Sequence, residues 1–518
     1  MEHTASIAMP RTASRHWIWS ARGFVAVTAA YCLLHLLLRL ALTPTLGVDD
    51  IDQALLAQEL AWGYSVKQPP LYTWILLALY KTLGVSLATH IVLKYALVFA
   101  TFLFLYLGAR AVVRDPAMAV MAGLSPLLMY YLAVGAHQGF THSLVLSVCI
   151  AAAFWLTVRW VRAGSALDYA ALGVVYGLGL LSKYNFAVFA LSALAAGLTV
   201  PGVRARILHP RMLITLLAGA VVFAPHAWWL AHHLGDPAQP ELSTSLPIRG
   251  GAYLADVWSG VASLAVGALS FLAPLWIALL AVFPWAWRRL PGRGEAPPWR
   301  RFLGAQMLWG LGLVTVALAA FPIGHIESRW LHPLLLLFPI YFALRAEAAE
   351  YRATAPRRML YVMAAFSVLV VMLRIGQIHV GPYFGQFGRF HQPFPELARE
   401  IGAAGFRGGT VIAADDHIAG NFRLVFPQSR IVTPMYPFWV PRPATPRGDC
   451  LLLWYGRDGD APPQRLRDFV RRRLGLAGLG ARGVSREMGI VEQPVRHSRA
   501  RSLALGYWLI PEEYGCGR

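Results

Sequence analysis

An α-helical polytopic membrane protein with a small C-terminal α/β domain is the fold class this sequence predicts, and three observations predict it. Apolar residues fill 57% of the 518 positions and charged residues only 14%, more than one globular core requires. The apolar residues come in blocks of helix length, and about twenty residues cross the hydrocarbon of a bilayer. Past residue 377 the blocks stop, and short strand-like and helix-like runs alternate instead.

Taken in order, about eleven blocks are long enough to span: 23–44, 87–108, 116–134, 140–158, 169–182, 184–200, 212–230, 257–283, 303–321, 330–344 and 359–376. The stretch 71–85 is shorter and more polar, which suits an interfacial or re-entrant piece and brings the expected total to roughly 11–13 helices. Arginine orients the stack. Arg11, Arg15 and Arg22 precede the first block, and Arg110 with Arg114, Arg159 with Arg162, Arg204 to Arg211, Arg288 to Arg301 and Arg345 to Arg358 fall in alternate loops. The positive-inside rule makes those loops cytoplasmic. Loops of the other parity hold few cations, Lys67, Lys81, Lys183, Arg249 and Arg329, and are therefore external. The first block runs long without a small-residue cleavage site, as a retained signal anchor does.

The chemistry concentrates in the first external loop, residues 45–70. Asp49, Asp50 and Asp52 precede an apolar run through Leu55, Leu56, Leu60 and Trp62, the position of a helix N-terminus whose partial positive charge favours anions. A cap and an acidic first turn would explain them, but capping needs one carboxylate and three repel one another. Ionisable groups at a membrane interface also mark sites. After Trp62-Gly63-Tyr64 the chain turns through Lys67-Gln68-Pro69-Pro70-Leu71-Tyr72, where the prolines impose an extended or turning backbone able to aim Lys67 or Gln68 back at the carboxylates.

An acidic pair, an interfacial helix ending near Trp-Gly-Tyr and then Gln-Pro-Pro-Leu-Tyr resemble the first external loop of GT-C type glycosyltransferases. These enzymes take a sugar from a polyprenyl phosphate. They include relatives of the protein O-mannosyltransferases and of the lipid A aminoarabinose transferase, and the bacterial lipopolysaccharide galacturonosyltransferase type is the nearest. The resemblance implies that Asp49 is the catalytic base, with Asp50 where the family carries Glu. Aminoarabinose transferases have Lys-Pro-Pro, whereas here Gln68 precedes the prolines and Lys67 stands one place earlier. It implies substrate contacts from Asp52, Lys67, Gln68 and Tyr72.

Three later segments extend the likeness over about the first 340 residues. In Gly135-Ala-His137-Gln138-Gly139-Phe-Thr141-His142, His142 stands where family members often place an acidic residue; it is either a substrate contact or a satisfied interfacial His, and a metal would need more ligands than these. Tyr176-Gly-Leu-Gly-Leu-Leu-Ser182-Lys183-Tyr184-Asn185 resembles the family's Gly-Leu-Ala-Leu-Leu-Thr-Lys-Gly, which implies a phosphate-binding Lys183 with Tyr184 beside it; a snorkelling Lys is the plainer alternative. His325-Ile-Glu327-Ser-Arg329-Trp330-Leu-His332-Pro333 resembles the Arg-Tyr-Leu-Leu-Pro segment. There Arg329 either clamps phosphate with its planar fork or forms an ion pair with Glu327. His226-Ala-Trp228-Trp229 and His232-His233 read as an aromatic belt, with a zinc site as the lesser alternative, and the loop from Leu234 to Asp256 is long enough to cover a site.

Beyond 377, Phe384 to Pro395 reads as a linker, 396–404, 416–422 and 464–474 as helices, and 410–414, 430–433 and 450–455 as strands. No phosphate loop or nucleotide fingerprint occurs. Asp415-Asp416-His417 is a site or a helix cap. The net charge of +20 is largely topogenic Arg, with a second cluster at Arg465, Arg467, Arg471, Arg472 and Arg473 that suits anionic lipid or glycolipid; nucleic acid is not a partner for a chain embedded in a bilayer. Cys32 and Cys149 lie in apolar blocks, and a Cys450 to Cys516 bridge is open.

The expected function is transfer of a sugar from a polyprenyl-phosphate donor to an envelope acceptor, a glycolipid such as lipopolysaccharide or lipid A or a protein, at the periplasmic side of the inner membrane. No cofactor and no metal are called for. A transporter or flippase shares many spans, but would hold its charges at the membrane centre in paired halves, and a noncatalytic scaffold would need none.

Overall fold

The computed structural model describes residues 16–237, 239–240, 252–288, 298–321, 323–349, 351–442, 448–474, 487–498 and 500–512. Among these, seven helices are long and apolar enough to cross a membrane: Ala21–Leu42, Leu87–Val112, His142–Ala163, Met212–His233, Tyr253–Phe271, Pro298–Ala320 and Ala355–His379. Three bent pairs bring the number to ten if each crosses once, and Leu71–Leu83, Ala166–Ser182 and Ala273–Val282 are shorter apolar helices. Side chains such as Leu213, Leu217, Val221, Leu254 and Trp258 stay exposed on these helices. An apolar surface of that extent has lipid as its natural cover.

Several expected spans are not straight. The block 116–134 bends by 72° between Pro116–Leu128 and Tyr130–His137, and 330–344 bends by 49° between Ser328–Leu335 and Phe338–Ala348; Pro339 sits in the first turn of the segment after the second bend. Proline lacks the N–H that a continuing helix requires and clashes with the preceding turn. The block 257–283 likewise breaks at Leu272, where Pro274 opens the next helix. The stretch expected to be interfacial or re-entrant is a 13-residue helix, Leu71–Leu83, with Tyr72, Leu76 and Tyr80 buried. Side-chain caps start other helices: Ser86 accepts from Thr89 N, and Ser165 with Asp168 closes a capping box, satisfying donors that helix geometry leaves open.

The C-terminal part is the expected α/β unit, with two strands more than the sequence disclosed. Strands β1 (Gly409–Ala413), β2 (Arg430–Val432), β3 (Asp449–Tyr455), β4 (Glu487–Pro494) and β5 (Ser502–Ile510) form one sheet in the order β2-β1-β3-β5-β4. β1 runs parallel to β2 and β3 in the register Val411↔Leu451, and β5 is antiparallel to β3 and β4. Alternation divides the strands between two cores. Ile412, Leu452 and Trp454 pack with Leu466, Phe469 and Val470 of the basic helix Gln464–Arg473. Val411, Leu451 and Leu453 pack on the opposite face with Leu397, Ile418 and Phe422.

That second core crosses the domain boundary expected from the sequence. Leu46, Ile51, Ala54 and Leu55, all from the acidic loop 45–70, are buried in it. The loop is thus seated on the C-terminal domain. The expected linker is seated too: Thr43 Oγ1 donates to Phe390 O over 2.7 Å, and the Arg39 and Arg374 guanidinium groups lie 5.0 and 5.5 Å from the Phe390 ring centre.

Candidate active site at the acidic loop

The three carboxylates share one helix, Val48–Leu56. A Cβ on Gly47, its N-cap, would stand 2.6 Å from Gln138 O, so the chain enters this helix where only glycine fits. Leu46 N donates to Asn421 Oδ1 over 3.0 Å. Gly420 then permits the closest approach: a Cβ there would meet Ile51 Cγ2 at 2.8 Å and Ile51 O at 3.1 Å. Gln58 exchanges two 2.8 Å hydrogen bonds with the Ile431 backbone, and Trp439 Nε1 donates to Leu55 O over 3.1 Å.

Successive helical residues point about 100° apart, and the carboxylates diverge accordingly. Asp50 turns into the bundle, where Lys94 Nζ donates to its Oδ2 over 2.8 Å and His90 Nδ1 lies 4.0 Å from its Oδ1. Burial would raise this carboxyl, but Lys94 and then His90 outweigh it and hold it below the usual range. Asp49 is half-buried. Burial, then the Asp50 charge, lifts its carboxyl to about 6 against the pull of Lys94, Arg329 and Lys183. Asp52 turns toward the C-terminal domain. Burial raises it to about 7, a hydrogen bond from Tyr436 opposes that, Asp49 and Asp416 add to it, and Arg389 opposes it.

The cations come from two distant segments. Lys183 C-caps the helix Ala166–Ser182, and its Nζ donates to Ser143 Oγ over 3.1 Å. Burial and the neighbouring Arg329 lower the ammonium to about 8, while Asp49 opposes the fall. Asn185 Nδ2 donates to Trp330 O over 3.2 Å, which ties the Lys183 turn to Ser328–Leu331, the short segment carrying Arg329. Arg329 is exposed. Glu327 has His325 as its ionic partner at 3.6 Å rather than Arg329. The structure therefore brings Asp49, Lys183 and Arg329 within electrostatic reach of one another.

The other expected site residues take various places. His142 Nε2 lies 3.1 Å from Gln53 Nε2, and Thr73 Oγ1 donates to Gln53 Oε1 over 2.6 Å. Tyr72 is fully buried, its ring 5.8 Å from that of His142 and its hydroxyl without a hydrogen-bond partner among the described residues. Tyr184 OH lies 3.0 Å from His226 Nε2, whose Nδ1 lies 2.9 Å from Trp62 O. Gln68 is exposed and Lys67 half-buried at the turn, where Gln68 N donates to Ser65 O over 3.3 Å. Asp415 caps a helix, accepting from His417 N at 2.9 Å, and His137 takes the Tyr31 and Tyr95 hydroxyls at 2.9 and 2.8 Å. Among the described residues no three of His, Cys, Asp and Glu gather as a metal site would require. Cys32 and Cys149 are free and buried and Cys450 is disulfide-bonded. Cys516, Arg249, the segment 1–15 and most of the loop expected to cover the site lie outside the described residues.

Sequence reasoning gave no role to Lys94, His90, Gln53 or Tyr436. Lys94 carried a signal, since a lysine within an apolar block requires an anion. Tyr436 lies in an irregular segment with no period to expose it.

Comparison with known proteins defines the class. The family model described as dolichyl-phosphate-mannose-protein mannosyltransferase matches residues 67–229. The solved structure of ArnT from Cupriavidus metallidurans, bound to undecaprenyl phosphate, superposes with a TM-score of 0.61 at 12% identity, covering 94% of this chain and 98% of that one. The fold is thus that of a polytopic GT-C membrane glycosyltransferase. Lipopolysaccharide core galacturonosyltransferase RgtB of Rhizobium johnstonii is 32% identical over 456 residues, 87% of this chain and 91% of that protein, and RgtA of the same organism is 30% identical over 489 residues, 93% and 96%. This chain belongs to the lipopolysaccharide core galacturonosyltransferase family. The likeness extends beyond the expected first 340 residues into the C-terminal domain.

Proposed function

We propose that the protein transfers a uronic acid, galacturonate by analogy with RgtA and RgtB, from a polyprenyl-phosphate carrier to the core saccharide of lipopolysaccharide at the periplasmic face of the inner membrane. The observation that carries this reading is Asp49, a half-buried carboxylate acted on by Lys183 and Arg329 from across the site. In the reaction Asp49 takes the proton of an acceptor hydroxyl, the hydroxyl oxygen bonds to the sugar C1, and the bond from C1 to the phosphate oxygen breaks. Lys183 and Arg329 stabilise the negative charge that grows on the leaving phosphate. Asp50, committed to Lys94, holds the helix that presents Asp49, and Asp52 faces the acceptor side.

Periplasmic placement is supported by the arginine-rich loops of opposite parity and by the disulfide at Cys450, which an oxidising compartment favours. The lipid-linked sugar is the donor, and the reading requires no further cofactor. The test is the core-saccharide composition of a strain lacking this gene. Loss of one uronic acid residue, restored by the intact gene, supports the reading; an unchanged core rejects it.

A further inference from the structure

A cavity of about 520 Å³ opens in the C-terminal domain, lined by Phe387, Arg389, Gln392, Arg457, Arg501 and Leu503 among others. That volume admits a small saccharide. Its charge is one-sided. Among the described residues neither Arg389 nor Arg501 has a carboxylate at salt-bridge distance, and Arg457 has only Asp458 at 3.9 Å. Glu492, the other acid at the rim, accepts from Ser502 Oγ. Two of the guanidinium groups are oriented by aromatic rings: Arg501 lies 4.8 Å from the Phe387 ring centre and Arg457 4.8 Å from that of Tyr455. Such stacking leaves the N–H edges free to donate. Gln392 contributes the opposite polarity, since its Oε1 is buried and has no donor among the described residues.

The cavity lies beside the acidic helix. Arg389 acts on the charges of Asp52 and Asp416, and its carbonyl accepts from Thr45 Oγ1 at 3.4 Å, just ahead of that helix. A ligand held here would extend toward Asp52 and then Asp49, the direction an acceptor must take.

We propose that this cavity binds the acidic saccharide of the acceptor glycolipid, with Arg389, Arg457 and Arg501 taking its carboxylate groups and Gln392 accepting from a sugar hydroxyl. The proposal rests on the reading of the chain as a transferase to an acidic envelope glycolipid. Paired N–H donors suit carboxylates and phosphates, and three such groups around one cavity suit a ligand with several anions.

The test uses the full chain in phosphatidylcholine nanodiscs and, as probe, lipid-free core oligosaccharide released from lipopolysaccharide. Calorimetry should show binding that weakens about tenfold or more in the Arg457→Ala/Arg501→Ala double variant, and similarly when the carboxylates of the probe are reduced to alcohols. Both arginines are exposed, so removing them spares the core; undecaprenyl phosphate binding by the variant serves as the check on folding. No binding by the unaltered chain, equal binding by the double variant, or equal binding of the reduced probe would overturn the proposal. So would loss of probe binding when phosphatidylglycerol replaces phosphatidylcholine, since the cavity would then take a lipid headgroup. The measurement requires neither donor nor turnover, so a failure of sugar transfer leaves its result standing.

Discussion

Lys94 Nζ donates to Asp50 Oδ2 over 2.8 Å in a pair whose side chains are 2% and 1% exposed. The bond joins the N-terminal third of the spanning helix Leu87–Val112 to the first turn of the acidic helix. It leaves Asp49 as the neighbouring carboxylate not committed to a lysine.

Lys94→Met should therefore damage the fold as well as the site. A buried carboxylate left without its partner costs about 3–5 kcal/mol, and the melting temperature of the detergent-solubilised protein should fall. Asp50→Asn in the same chain removes the stranded charge and should restore much of the loss. A double variant no more stable than Lys94→Met would show that the pair is not the support described.

The pH dependence follows from two groups. Asp49, lifted to about 6 by burial and by Asp50, must be ionised to accept a proton, so kcat/KM should rise with pH through that value. Lys183, lowered to about 8 by burial and by Arg329, must be protonated to hold phosphate, so kcat/KM should fall through that value. Bound phosphate stabilises the ammonium, and the alkaline limb of kcat should lie at higher pH than that of kcat/KM. Two limbs that coincide in both parameters would remove Lys183 from the phosphate site.

The seat of the acidic helix on the C-terminal domain gives a separate prediction. Gly420→Ala places a Cβ 2.8 Å from Ile51 Cγ2 and 3.1 Å from the Ile51 backbone oxygen. Overpacking of this kind costs about 1–3 kcal/mol, and here the strain displaces the helix bearing Asp49. Transfer should fall about tenfold or more while the chain still inserts in the membrane. Unchanged transfer would mean that this contact does not position Asp49.

Tyr436→Phe tests the link to Asp52. The Tyr436 hydroxyl lowers the Asp52 carboxyl, so its loss should raise Asp52 above about 7 and leave it protonated at neutral pH. A neutral Asp52 no longer opposes ionisation of Asp49, so the acid limb set by Asp49 should move to lower pH, a shift absent when Asp52 is Asn; an unmoved limb would mean that Tyr436 does not act on the site through Asp52.

Composition and helix-length blocks made the bundle legible in the sequence, and motifs at the ends of those blocks singled out Asp49, Lys183 and Arg329 as candidates. The sequence disclosed less where a partner lies far along the chain. Lys94 sits inside an apolar block whose average hides one lysine, and Gly420, Asn421 and Tyr436 meet the acidic helix only once the sheet has formed. Strand β4 has a mostly exposed pattern, so it lacks the apolar alternation that reveals a strand. The bends escaped because block length registers hydropathy rather than backbone direction.

The central claim is that Asp49 takes the proton from the acceptor while Lys183 and Arg329 hold the leaving phosphate. Single-turnover transfer from a labelled polyprenyl-phosphate uronic acid, by the intact chain and by Asp49→Asn in nanodiscs, tests it most directly. The account predicts that Asp49→Asn binds undecaprenyl phosphate about as tightly as the intact chain and transfers the sugar at least about a hundredfold more slowly; transfer at the unaltered rate would contradict it.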